Sequence, residues 1–224
     1  MYSSQPMNDQ EIVFDSRLIQ RFDVNGPRYT SYPTADRFVE AFTADHYVHW
    51  LGQRRVVVPS RPLSLYVHIP FCPTICYYCA CNKIITKDHG RSAKYLVYLG
   101  KEMDLALAAL GGTREATQMH WGGGSPSFLA DDEMRQLMDM IRSRFQLLPE
   151  GEYSIEIDPR KVKETTIALL AELGFNRMSI GVQDFAPEVQ QAVNRIQSLE
   201  ETRRVMDAAR DCGFKSLAVD LIYG

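Results

Sequence analysis

From residue 63 onward, short apolar runs alternate with helical ones, and this alternation fixes the fold class before any single residue does. Leu63–Pro70, Gln118–Trp121, Tyr153–Asp158, Arg177–Gln183 and Leu217–Tyr223 read as strands. Between them, Arg91–Leu110, Asp131–Phe145, Thr165–Leu173 and Leu199–Arg210 carry helical spacing. In Asp131–Phe145, apolar Met134, Leu137, Met138 and Ile141 recur every three or four positions, the repeat of one helical face. Gly111-Gly112, Gly174 and Gly213 each follow a helix and are expected to end it. Short strands separated by helices mean parallel βαβ units, so the expectation is an α/β sheet of five parallel strands. Ligands gather at the carboxyl ends of such strands. The residues with chemical potential fall there: a cysteine loop, a triple glycine, Glu156 to Pro159, Gln183-Asp184 and Asp220.

Residues 1–62 read differently, as an irregular N-terminal arm with prolines at 6, 27, 33, 59 and 62. Asp36–Leu51 has a helical look that places Phe38, Phe42 and Tyr47 near one face, and Pro59 ends the short apolar run Val56–Val58. The expected division is residues 1–62 as arm and helix, and residues 63–224 as the βα domain. With 25 basic and 28 acidic side chains, the net charge of −3 gives no global field for nucleic acid, and no such partner is expected. The longest unbroken apolar run, Leu105–Leu110, is far short of the roughly 20 residues that span a bilayer, so no membrane partner is expected. Asp9, Glu11 and Asp15 interrupt the first twenty residues, which lack the apolar core of a secretory signal, and the expected location is cytoplasmic.

Four of the five cysteines, Cys72, Cys76, Cys79 and Cys81, lie within ten residues, and Cys212 stands apart. Such crowding without a signal peptide reads as a metal or redox site rather than a disulfide framework. Three thiolates spaced CxxxCxxC on one loop can hold three corners of an iron–sulfur cube and leave its fourth iron open. Structural zinc prefers two separated ligand pairs, for which only His68 and His89 lie near in sequence. An inert thiol cluster is the third reading that spacing alone allows.

The surroundings of the loop narrow this choice. Cys72, Cys76 and Cys79 follow the first strand, and the aromatic Tyr78 directly precedes the third cysteine. In this the chain resembles the radical S-adenosylmethionine enzymes. Tyr66-Val67-His68-Ile69-Pro70-Phe71-Cys72, Cys79-Ala80-Cys81-Asn82-Lys83 and Arg28-Tyr29-Thr30-Ser31-Tyr32-Pro33-Thr34 are similar to the bacterial oxygen-independent coproporphyrinogen III oxidases. So are His120-Trp121-Gly122-Gly123-Gly124, Glu156-Ile157-Asp158-Pro159-Arg160, Gly181-Val182-Gln183-Asp184-Phe185, Val193-Asn194-Arg195 and Asp220-Leu221-Ile222-Tyr223-Gly224. The likeness runs from about residue 17 to the last residue.

The resemblance implies an incomplete parallel (βα) barrel of the radical S-adenosylmethionine type. It implies a 4Fe-4S cluster on Cys72, Cys76 and Cys79, with two S-adenosylmethionine molecules in one site. Tyr66 is assigned to the first of these, and Gln183, Arg195 and Asp220 to the second, with Tyr78 stacking on or packing beside it. Gly123 and Gly124 let the backbone approach a ligand, and Ser125 stands where relatives usually carry threonine. Glu156, inside an otherwise apolar strand, needs a partner: a cofactor amino or ribose group, or an internal ion pair such as Arg177. The implied reaction converts two propionate side chains of coproporphyrinogen III to vinyl groups, giving protoporphyrinogen IX in heme biosynthesis. No single residue is assigned a catalytic role. The substrate carries several carboxylates while the chain is net acidic, so Arg28 is expected to pair with a propionate. The implied partners are this substrate and an electron donor such as a flavodoxin-type protein, acting on a monomer. A radical-S-adenosylmethionine-like heme chaperone is the alternative, although such relatives generally lack the Cys-x-Cys end and the Arg28–Thr34 arm. Relatives carry a further barrel strand and a C-terminal domain, so this chain is expected to be truncated before the sixth strand.

Overall fold

The polar and apolar residues of the strands alternate, and in the computed structural model that alternation sorts the two faces of a single parallel sheet. The structure describes residues 15–24, 34–57 and 61–222. Two compact units divide between Ala44 and Asp45. In the first, helix α1 (Ser16–Phe22) starts at Asp15, whose carboxylate accepts from the amides of Arg17 and Leu18 at 2.9 and 3.2 Å. A single 3-10 turn covers Ala35–Arg37. Arg28, with the rest of its run up to Pro33, lies outside the described residues.

Helix α2 (Ala44–Val57) starts later than the sequence reading of Asp36–Leu51 and runs further, taking in Val56. The start signal is local: Asp45 puts negative charge in the first turn, where the helix dipole favours it. Phe38 and Phe42 precede the helix, and together with Tyr47 they are exposed rather than gathered into a core.

The remaining elements are β1 (Leu63–Ile69), β2 (Phe71–Cys72), β3 (Ile84–Ile85), α3 (Gly90–Ala109), β4 (Glu115–Gly123), α4 (Asp131–Arg142), β5 (Gln146–Ile157), α5 (Glu164–Glu172), β6 (Arg177–Gln183), α6 (Pro187–Ala192), α7 (Leu199–Asp211) and β7 (Ser216–Leu221). The main sheet has the order β1-β4-β5-β6-β7, and every pair in it is parallel. These are the five strands expected from the sequence. Helix α6 and the short β2–β3 pair are new. The latter brackets the cysteine loop: Phe71 aligns with Ile84, and Cys72 with Ile85.

One face of the sheet is apolar. Val67, Ile69, Trp121, Ile155, Met178 and Ile180 are buried there, against Met134, Leu137, Met138 and Ile141 of α4 and Ile167 and Leu170 of α5. The four α4 residues are those of the sequence-derived stripe. The opposite face presents Tyr66, His68, His120, Ser154 and Glu156 at the alternate positions. Leu63–Pro70 is thus half-buried rather than wholly buried, because only the residues facing the helices are covered. The three expected glycine stops hold positive φ at Gly112, Gly174 and Gly213.

Trp121 is fully buried and meets Phe175 edge-on at 4.9 Å. Trp121→Ala would leave a cavity in the middle of this core. It is expected to cost about 3–5 kcal/mol in reversible chemical denaturation, and a loss below about 1 kcal/mol would contradict the packing described.

Candidate functional site

The strands point their carboxyl ends at one mouth, and a cavity of about 210 Å³ lies there. Its walls include Cys72, Cys76, Tyr78 and Cys79 from the loop after β1, and Gly123 to Ser125 after β4. Glu156, Gln183 and Asp220 close it from β5, β6 and β7, with Arg195 behind. Every cluster or cofactor residue expected from the sequence therefore lines this cavity except Tyr66, while Arg28, expected to meet the substrate, lies outside the described residues. Tyr66 stands level with His120 and Ser154, one pleat deeper than Glu156. Its hydroxyl meets His68 Nδ1 at 2.9 Å, and its ring stacks on His120 at 5.9 Å.

The cysteine loop is held at several points. At its ends, the Ile84 amide donates to Pro70 O at 2.7 Å and the Thr86 amide to Cys72 O at 2.9 Å. Lys83 Nζ reaches the carbonyls of Cys79 and Cys81 at 2.8 and 3.3 Å. Midway, Arg195 Nη1 lies 3.8 Å from Cys76 Sγ. The thiols are free and, apart from exposed Cys81, half-buried. Burial, reinforced by the neighbouring Cys79 and Cys76, pushes the Cys72 thiol up to about 11. Burial raises Cys81 as well, with Cys79 adding to it. Burial takes Tyr78 up to about 12, against the opposing charge of Arg195.

The donor set fits an iron–sulfur cube, which takes one thiolate on each of three irons: Cys72, Cys76 and Cys79 share one short loop and line one cavity. The chain also supplies a close-fitting backbone beside the thiols. Gly123 has φ +118°, and a Cβ there would fall 2.8 Å from Ile69 O and 2.9 Å from the His68 ring. A Cβ on Gly124 would fall 2.8 Å from Pro70 O and 2.9 Å from Cys72 Sγ. The glycines are thus required by the chain's own packing, in addition to any ligand.

Glu156 does not pair with Arg177, which bonds Glu152 at 3.1 Å instead. Glu156 Oε2 accepts from the Gly123 amide at 3.2 Å, and Oε1 lies 3.3 Å from His120 Nε2. His120 Nδ1 in turn meets Ser154 Oγ at 2.7 Å. Two β-strand periods thus stack a serine, a histidine and a carboxylate toward the cavity, and His120, which reads from the sequence as a core or hydrogen-bonding histidine, takes the hydrogen-bonding place.

Asp158 and Arg160 are a second feature to which the sequence reading gave no role. Arg160 clamps Asp158 through Nε at 2.9 Å and Nη2 at 2.6 Å, and Arg195 Nη2 approaches the same carboxylate at 3.4 Å. Burial alone would push the Asp158 carboxyl up. The Arg160 hydrogen bonds and the Arg195 and Arg160 charges outweigh it and hold the group below its usual range. Arg195, which reads from sequence alone as a surface helix residue, is buried and donates to Gly181 O at 2.8 Å. Charges two apart just past a strand end were the available signal for the Asp158–Arg160 pair. No local signal marks Lys83. Gln183 adopts the left-handed region at φ 72°, a conformation uncommon outside glycine, at the end of β6. Ser179 Oγ donates to Asp220 Oδ2 at 3.1 Å.

In metal-free protein, Cys72 is expected to stay a thiol at neutral pH, since its pKa of about 11 lies far above. Its alkylation by iodoacetamide, mapped by mass spectrometry, should therefore rise roughly tenfold per pH unit between pH 8 and 10. A rate already level by pH 9 would refute the environment described.

A Radical SAM superfamily model matches residues 66–224. The oxygen-independent coproporphyrinogen III oxidase of Pseudomonas aeruginosa is 52% identical over 215 residues, covering 95% of this chain and 46% of that protein. The protein of the same name from Escherichia coli (strain K12) is 44% identical over 218 residues, covering 97% and 47%. Among solved structures, the coproporphyrinogen III oxidase from Escherichia coli, described as a radical SAM enzyme, superposes with a TM-score of 0.82 at 43% identity, covering 96% of this chain and 47% of that one. The chain spans about half the length of the curated relatives it matches. With the family model spanning most of the sheet, and the thiols and glycine cradle at its mouth, the chain belongs to the radical SAM superfamily.

Proposed function

We propose that this chain supplies the cofactor site of an enzyme that oxidatively decarboxylates two propionates of coproporphyrinogen III to vinyl groups. The observation that carries the reading is the meeting of Cys72, Cys76 and Cys79 with Gly123, Gly124 and Glu156 around one cavity. The names of relatives 44–52% identical support the choice of substrate. A 4Fe-4S cluster with S-adenosylmethionine supplies, when bound, one-electron chemistry that yields a 5′-deoxyadenosyl radical able to take hydrogen from the substrate side chain.

The chain's own residues hold and shield that chemistry. The three thiols are the cluster ligands, and their half-buried setting limits solvent access. The bare backbone at Gly123 and Gly124 offers amides and carbonyls to the methionine end of S-adenosylmethionine. Glu156, already fixed by the Gly123 amide and His120, presents its carboxylate as an acceptor for the cofactor's amino or ribose group. Gln183 and Asp220, on the far wall, suit a second S-adenosylmethionine. Arg160 and Arg195 place positive charge beside Cys76 and Asp158. A one-electron donor of flavodoxin type and a cytoplasmic setting complete the reading. Among the described residues, no helix is long and apolar enough to cross a membrane.

The test is an anaerobic assay of the protein as expressed from its natural gene, with reductant, S-adenosylmethionine and coproporphyrinogen III. Vinyl product and 5′-deoxyadenosine are expected together, and Cys72→Ala, Cys76→Ala and Cys79→Ala should each abolish both. Tight heme binding with no turnover would replace this reading with that of a heme chaperone. Zinc as the only bound metal would remove the cluster altogether.

A further inference from the structure

The corner that follows α6 touches the middle of the cysteine loop three times, twice across 119 residues of sequence and once across 116. The Tyr77 amide donates to Val193 O at 3.0 Å. Asn194 Nδ2 donates to Ile75 O at 2.8 Å. Arg195 Nη1 approaches Cys76 Sγ at 3.8 Å. Val193, Asn194 and Arg195 thus engage Ile75, Cys76 and Tyr77, the stretch that centres on the second thiol.

The backbone of the corner explains why asparagine stands there. The Arg195 amide bonds Gln190 O at 2.8 Å and the Asn194 amide bonds Gln191 O at 3.2 Å, the paired bonds of a Schellman helix end. Asn194 is the left-handed residue of that motif, with φ 55°. Glycine is the usual occupant of such a position, as at Gly174 and Gly213, which follow α5 and α7 at φ +90° and +82°. Asparagine is the side-chain-bearing residue that tolerates this conformation best. What it adds over glycine is a side-chain amide, and that amide is spent on a carbonyl of the cysteine loop.

We propose that Asn194 is a positioning residue for the iron–sulfur ligands: it ties the end of α6 to the loop and holds Cys76 in the geometry that retains the cluster. The inference rests on the reading of Cys72, Cys76 and Cys79 as cluster ligands. Asn194 touches neither cofactor nor substrate in this role; it acts through Ile75 and the adjacent Cys76. Asn194 is one of three ties that this corner makes at the centre of the loop, beside the Tyr77 amide on Val193 O and Arg195 on Cys76. The ties at Pro70, Cys72, Cys79 and Cys81 lie toward the loop's two ends.

The variant that isolates the effect is Asn194→Gly, which keeps the left-handed backbone and removes only the amide. The natural full-length protein is loaded anaerobically with iron and sulfide. Bleaching of its visible iron–sulfur absorption is then followed under an iron chelator, without substrate or turnover. The lost hydrogen bond corresponds to a bleaching rate about threefold to tenfold faster than wild type, with an unchanged thermal midpoint for the metal-free protein. Asn194→Asp, which offers an acceptor to a carbonyl, should bleach at least as fast as the glycine variant. Gly213→Asn, the reverse exchange at a helix end with nothing within 4 Å of the added Cβ, should bleach at the wild-type rate. Equal rates for wild type and Asn194→Gly would overturn the inference while leaving the cluster reading intact. A wild-type protein that takes up no iron–sulfur cluster would overturn the cluster reading and the inference with it.

Discussion

The rest of the site depends on how closely β4 meets β1 at their carboxyl ends. At Gly123 and Gly124 the two chains approach until a single Cβ would sit 2.8 Å from a backbone carbonyl oxygen. That closeness brings Cys72 Sγ to the edge of the glycine run and turns the Gly123 amide toward Glu156. A side chain at either glycine would force the strand ends apart and separate the thiols from the backbone that faces them. The cavity is therefore a product of sheet register as much as of its lining residues. Tyr66 to Ile69 align one for one with His120 to Gly123, with no room for slippage at the mouth.

Around this core the site balances charge by pairing. Asp158 is buried with two guanidiniums, and its charge is retained because both stand within ion-pair reach. Glu156 is less enclosed and is served by one amide and one imidazole. At Cys72, burial and the neighbouring thiols raise the group instead. A group that favours thiolates, such as a cluster of iron ions, would reverse that tendency, so binding the cluster must release protons. The cationic flank at Arg160 and Arg195 lies on the side of Cys76, where added negative charge would be felt most directly.

The five strands, the apolar stripe of α4 and the glycine helix ends were legible in the sequence because each is a local pattern with a fixed period or a fixed backbone requirement. The start of α2 was not: Asp36 and Asp45 each put a carboxylate in a first turn, but the one at Asp36 belongs to a 3-10 turn that stops at Arg37 and only the one at Asp45 opens a helix. Most of the cavity lining was also legible, through motif runs at strand ends. Tyr66 is named by its motif, and the fold adds its neighbours: it meets His68 and His120, and burial, with Glu156 and Cys81 close by, raises its hydroxyl. His120 and Arg177 both lie level with Ser154, on the strands either side of β5, and only the folded structure shows that Glu156 pairs with His120 while Arg177 bonds Glu152.

By itself, the sequence determined the parallel α/β architecture, the thiol spacing and the glycines that end the helices, since all three follow from residue type and short-range order. Tertiary structure alone decided which distant groups bond to one another. Without the family resemblance Arg195 reads as a surface helix residue; in the fold it is buried and bonds Gly181 O. Asn194 stands in the sequence only as part of a family-like run until its amide meets Ile75. The physical reason is that a hydrogen bond across 119 residues leaves no periodic trace in the chain: it exists only once the sheet has set its two ends in place.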